Sequence, residues 1–105
     1  MSNNENKKEV IDVAQFSKEG KPVPKDRHYE IMVDQRPFKV EVECMTGREI
    51  LVLAGKNPPE RFQLNQRFNT GKVVPIKYDQ KVCFTEPGIE KFMTIPLDQT
   101  EGGIK

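Results

Sequence analysis

The chain has 105 residues, 31% charged and 35% apolar, which is enough for one small folded domain and too little for two. Seventeen Lys and Arg against sixteen Asp and Glu leave a net charge of +1, so the electrostatic excess that drives binding to nucleic acid or an anionic membrane is missing. No stretch approaches the ~20 apolar residues of a transmembrane helix, and none forms the apolar centre of a signal peptide; a cytoplasmic protein is expected.

Residues 1–26 hold Asn-Asn, Lys-Lys and Pro-Val-Pro and are too polar to bury their own backbone, which reads as a flexible arm. Within it Val10, Ile11, Val13, Ala14 and Phe16 form an apolar cluster, part of it at helical spacing, ahead of Gly20. Two readings stay open for Val10, Ile11, Val13 and Phe16: incidental apolar residues, or a short helix or strand that docks on a partner or on another copy of the chain.

From Tyr29 the pattern becomes strand-like, with Tyr29, Ile31 and Val33 alternating with Glu30, Met32 and Asp34. Gln35-Arg36-Pro37 is read as the turn, and Phe38, Val40, Val42 and Cys44 as the apolar side of a second, antiparallel strand. Such a hairpin cannot stand alone and needs a cover for its apolar face. Thr46-Gly47-Arg48-Glu49 supplies one: the Thr46 hydroxyl can accept from the Glu49 amide while the Glu49 carboxylate reaches back, a capping box, with Met45 and Ile50 as its hydrophobic staple. Ile50, Leu51, Leu53 and Ala54 form the apolar side of the helix, Gly55 stops it, and Asn57-Pro58-Pro59 prevents it from resuming.

Short strands follow. Phe62 and Leu64 open one before a polar loop through Asn69-Thr70-Gly71; Val74, Ile76 and Tyr78 alternate in another, where Pro75 argues for an edge strand or a loop-like stretch. Val82-Cys83-Phe84 is a third. Phe92 to Leu97 is the last, with Met93, Ile95 and Leu97 on one face and Phe92 and Thr94 on the other. A mixed sheet wrapping one helix fits this order, with a core of about 70 residues.

Catalysis has little to build on. Cys44 and Cys83 form no CxxC pair, and in a reducing compartment they are expected to stay unbridged and buried, acting as small apolar side chains. The one histidine, His28, has no local signature of a nucleophile and base, and a metal site would need distant carboxylates and cysteines. The sequence assigns no catalytic residue, no metal and no cofactor, and the protein is read as not an enzyme. The informative segment is the end, residues 98–105, a flexible tail with Gly102 and Gly103. Without Cβ atoms, two glycines can thread a narrow enzyme channel.

The hairpin, the helix across it, the short strands and the Gly-Gly tail resemble a ubiquitin-like β-grasp protein. More narrowly, Thr46-Gly47-Arg48-Glu49-Ile50-Leu51 leading to Leu53-Ala54-Gly55-Lys56, with Pro59, Glu60 and Glu90-Lys91-Phe92, resembles the bacterial multiubiquitin family across Arg27 to Leu97. That resemblance implies an α+β fold over residues 27–97 and a role as a modifier. Its partners would be an activating enzyme, a conjugating enzyme, a JAB-type metallopeptidase and target proteins. It further implies processing after Gly103, conjugation through that carboxylate with Gly102 giving access, and a place in antiviral defence. An alternative from another class is a noncatalytic β-grasp module that binds or assembles into homo-oligomers through its arm or a sheet edge. Sulfur carriage by a terminal thiocarboxylate ranks last.

Overall fold

A hairpin begins the fold where the alternation is strictest. The computed structural model describes residues 9–97. Within them β1 (Val10–Asp12) leads into α1 (Val13–Glu19), then β2 (His28–Val33), β3 (Arg36–Val40), β4 (Cys44–Thr46), α2 (Gly47–Leu53) and a 3-10 turn (Pro59–Arg61). β5 (Phe62–Phe68), β6 (Val73–Ile76), β7 (Lys81–Cys83) and β8 (Ile89–Pro96) complete the order.

Tyr29, Ile31 and Val33 are buried and their neighbours are not, as the alternation requires. The turn lies earlier than the sequence implied, at Asp34 and Gln35, both with positive φ, in a two-residue hairpin closed by Val33 and Arg36. Pro37 is therefore a strand residue opposite Met32. One position beyond the closing pair, its missing N–H would have pointed off the open edge, so no ladder bond is lost. β3 stops at Val40; Glu41 to Glu43 bend away, and Val42, expected on the buried face, is 50% exposed.

The main sheet runs β3-β2-β8-β5-β6, with β2 and β8 parallel and the other neighbours antiparallel. This mixed sheet with α2 across it is the ubiquitin-like β-grasp arrangement. Thr46 caps α2 by accepting from the Glu49 N–H at 3.2 Å, and Glu49 Oε1 accepts from the Thr46 N–H at 2.9 Å. At the other end Gly55, at φ +78°, donates to Val52 O, and Lys56 donates to Leu51 O, which satisfies carbonyls that the helix end leaves free. Ile50 and Leu51 face the core. Gly47 has no room for a side chain, because a Cβ there would lie 2.3 Å from the Lys77 carbonyl oxygen.

β5 runs on to Phe68, farther than its hydropathy implied, and sits between β8 and β6. That central place buries Asn65 and Gln66, with Gln63 donating to Asn65 Oδ1 at 3.0 Å. β6 is the edge that Pro75 announced, and the proline again stands at a position whose N–H would face outward. Tyr29, Phe84 and Phe92 form the aromatic centre of the core, with ring centroids 6.3 Å apart in each of the pairs Tyr29–Phe84 and Phe84–Phe92.

Two expectations are corrected. Residues 10–26 are not a flexible arm: β1 pairs in parallel with β2 through Val10↔His28, Ile11↔Tyr29 and Asp12↔Glu30, and Ile11, Val13 and Val23 enter the core. The Tyr29 hydroxyl donates to Pro24 O at 2.8 Å, and Asn69 Nδ2 donates to Ser17 O at 3.0 Å, which ties the segment down at its middle and near its end. The cysteines are neither buried nor free. Cys44 faces Cys83 in the β4–β7 ladder, and the two form a disulfide. The pairing of two strands 35 positions apart in sequence, not a local motif, brings them together.

Candidate functional site

β8 is the strand that carries the chain towards its end. Residues paired in register share a face of the sheet, so the pairings Lys91↔Arg67↔Val73, Met93↔Asn65↔Pro75 and Ile95↔Gln63 define the face turned away from α2. Phe92 and Ile89 point the other way and are buried. The last strand thus spends its aromatic residue on the core and leaves an apolar pair outside: Ile95 is 49% exposed and Leu97 42%. Lys77 lines the same cleft as Leu97. Lys72 and Lys77 are exposed, and Arg67 pairs with Glu90 at 3.1 Å.

The place where the chain leaves the sheet is well fixed. Leu97 donates its N–H to Arg61 O at 2.8 Å, and Pro96 lies opposite Phe62. Tyr78 closes the same corner, its hydroxyl donating to Phe62 O at 2.7 Å. A shallow cleft bounded by Gln63, Pro75, Lys77 and Tyr78 has Leu97 on its rim.

A second clamp acts farther up β8. The Asp34 carboxylate accepts from the Thr94 N–H at 2.8 Å and from its hydroxyl, with Lys56 Nζ 3.6 Å away. Burial pushes this carboxyl up, but the two hydrogen bonds from Thr94 and the charge of Lys56 outweigh it and hold the group below its ordinary range. The β2–β3 turn and β8 are thereby locked in register.

Of the residues singled out from sequence, Gly102 and Gly103 lie outside the described residues. Val10 is exposed. Ile11 and Val13 are buried in the chain's own core, and Phe16 packs partly against it with Lys21 Nζ 5.6 Å from its ring centre. As folded here, Ile11 and Val13 offer no contact surface to a partner. Sequence reasoning missed the exposure of Ile95 and Leu97; its signal was present in the alternation along β8, which separates two faces without saying which one the core takes.

Comparisons with curated proteins and with solved structures returned no match. A family model described as multiubiquitin matches residues 29–96, from the start of the hairpin to the end of β8. β1 and α1 lie before the matched span. With the strand order, the capped helix and this match across more than half of its length in agreement, the chain belongs to the multiubiquitin family.

Proposed function

We propose that this chain is a ubiquitin-like modifier of a bacterial conjugation pathway, working in the cytosol as a substrate and carrier. The observation that carries the reading is the exit of β8: a clamped strand that presents Ile95 and Leu97 to solvent, six residues before Gly103. Six residues span up to about 20 Å when extended, enough to place a carboxylate deep in an enzyme while the apolar pair stays on that enzyme's surface.

The chemistry is that of a carboxyl group. Water, activated on the zinc of a JAB-type peptidase, hydrolyses the Gly103–Ile104 bond and frees the Gly103 carboxylate. An activating enzyme then joins that carboxylate to the adenylyl group of ATP and releases pyrophosphate. A cysteine thiolate of the enzyme displaces AMP to give a thioester, and after passage to a conjugating enzyme a target amine takes the acyl group as an amide. Zinc, Mg²⁺ and the reactive cysteines belong to the partners. The chain's own part is to present the exit corner and two residues without Cβ atoms.

The test is intact-mass spectrometry of the protein recovered from cells that hold every enzyme of the pathway. A chain ending at Gly103, with heavier species joined to it by an amide, is the expected result. Gly103→Ala should cut processing or activation at least about a hundredfold with the fold unchanged. A chain that keeps Lys105 and forms no conjugates, or normal conjugation by the variant, refutes the reading.

A further inference from the structure

Cys44 and Cys83 occupy directly opposed positions in a ladder of three residue pairs. Their neighbours point inward: Val82 and Phe84 are buried, and Met45 packs against the core. Strand alternation therefore puts both sulfurs on the outer side of the ladder, and both cysteines keep partial exposure to solvent. The Tyr29–Phe84 and Phe84–Phe92 ring contacts lie on the inner side of the ladder, away from the sulfurs. Among the described residues, β4 and β7 pair only with each other and not with the main sheet, so the disulfide is a covalent closure on a ladder of three pairs that no neighbouring strand supports.

This ladder holds the start of α2. Gly47 and Arg48 donate their N–H groups to Gln80 O and Tyr78 O, each at 3.0 Å, which satisfies donors that a helix start leaves free. Thr46, the cap residue, pairs with Lys81. Tyr78 in turn bonds to Phe62 O beside the exit of β8. A continuous set of contacts thus joins the sulfurs, the helix start and the corner where the chain leaves the sheet.

We propose that Cys44 and Cys83 form a reversible thiol–disulfide couple: the oxidised form fixes the start of α2 and the exit corner, and the reduced form loosens them while the core stays folded. The reductant is a monothiol of the glutathione class. Its thiolate attacks one sulfur, the S–S bond breaks, a mixed disulfide forms, and the other cysteine leaves as a thiolate and takes a proton. A second glutathione thiolate attacks the glutathione sulfur of the mixed disulfide, which releases glutathione disulfide and the second cysteine. Two electrons pass from two glutathione molecules to the protein, and glutathione disulfide reverses the sequence.

The experiment equilibrates the full chain in glutathione buffers of graded ratio, traps thiols by alkylation, and reads both intact mass and amide hydrogen exchange. The folded chain should pass between two mass states. On reduction, exchange at Gly47, Arg48 and Phe84 should quicken by about tenfold or more while Ile31 and Leu64 hold their protection. The double variant Cys44→Ser with Cys83→Ser should show the reduced pattern in every buffer. A bond that opens only in denaturant, thiols that never bridge, exchange that rises throughout the chain, or a double variant with the oxidised pattern would each overturn the proposal.

Discussion

The two ends of the described chain carry similar apolar residues to opposite ends. At the front, Ile11 lies in register with Tyr29 and turns into the core; at the back, Ile95 lies in register with Gln63 and turns out. Composition does not separate the two segments, since each is a short apolar run beside charged residues. Register does. A side chain's face is inherited from the residue it pairs with, so apolar residues hold the fold at the front and stay exposed at the back.

The strongest attempt to break this contrast is Ile11→Ala. If the front segment is part of the fold, the variant loses about 3 kcal/mol of stability in urea unfolding, because it empties a fully enclosed site. An unchanged midpoint would reduce β1 to a passenger and return the segment to the status of an arm.

Asp34→Asn tests how the back end is held. The carboxylate's folded pKa is lowered, so its contribution is complete above the ordinary value of about 3.8 and is lost as the pH falls through the folded value. The variant should be less stable by about 1.5 kcal/mol at pH 7 and should match the parent once the pH is low enough to protonate Asp34. An equal deficit at neutral and strongly acidic pH would assign the loss to the turn backbone instead of the charge.

The smallest expected effect on stability is the most informative about the outer pair. Ile95→Ser with Leu97→Ser should shift unfolding by no more than about 1 kcal/mol, since about half of each residue is already in water. Charging by the activating enzyme should fall all the same, measured as thioester formed at limiting modifier. A large loss of stability would show that these residues serve the core after all.

Much of the fold can be read from local pattern. The capping box at Thr46, the stop at Gly55 and the inward face of Tyr29, Ile31 and Val33 rest on residues within a turn or two of one another. What the pattern hides is pairing at a distance. Ile11 meets Tyr29 across a polar stretch of seventeen intervening residues, Cys44 meets Cys83 across 39 positions, and Asn65 and Gln66 are buried because the strand order makes β5 central. The run Phe38 to Cys44 misled in the other sense: its alternation continues through Val42 after the strand has ended. Of the candidate site, Gly102 and Gly103 were legible as a motif, whereas the face of β8 that accompanies them depends on a sheet order that no single segment encodes.

Pro37 and Pro75 stand on the two opposite margins of the main sheet, each where an amide hydrogen would otherwise point outward. A strand from a neighbouring molecule that approached either margin would find a donor missing in the middle of the row it needs. Crowded copies are thus denied the easiest route to cross-β growth, and the folded chain carries its own protection against aggregating with itself.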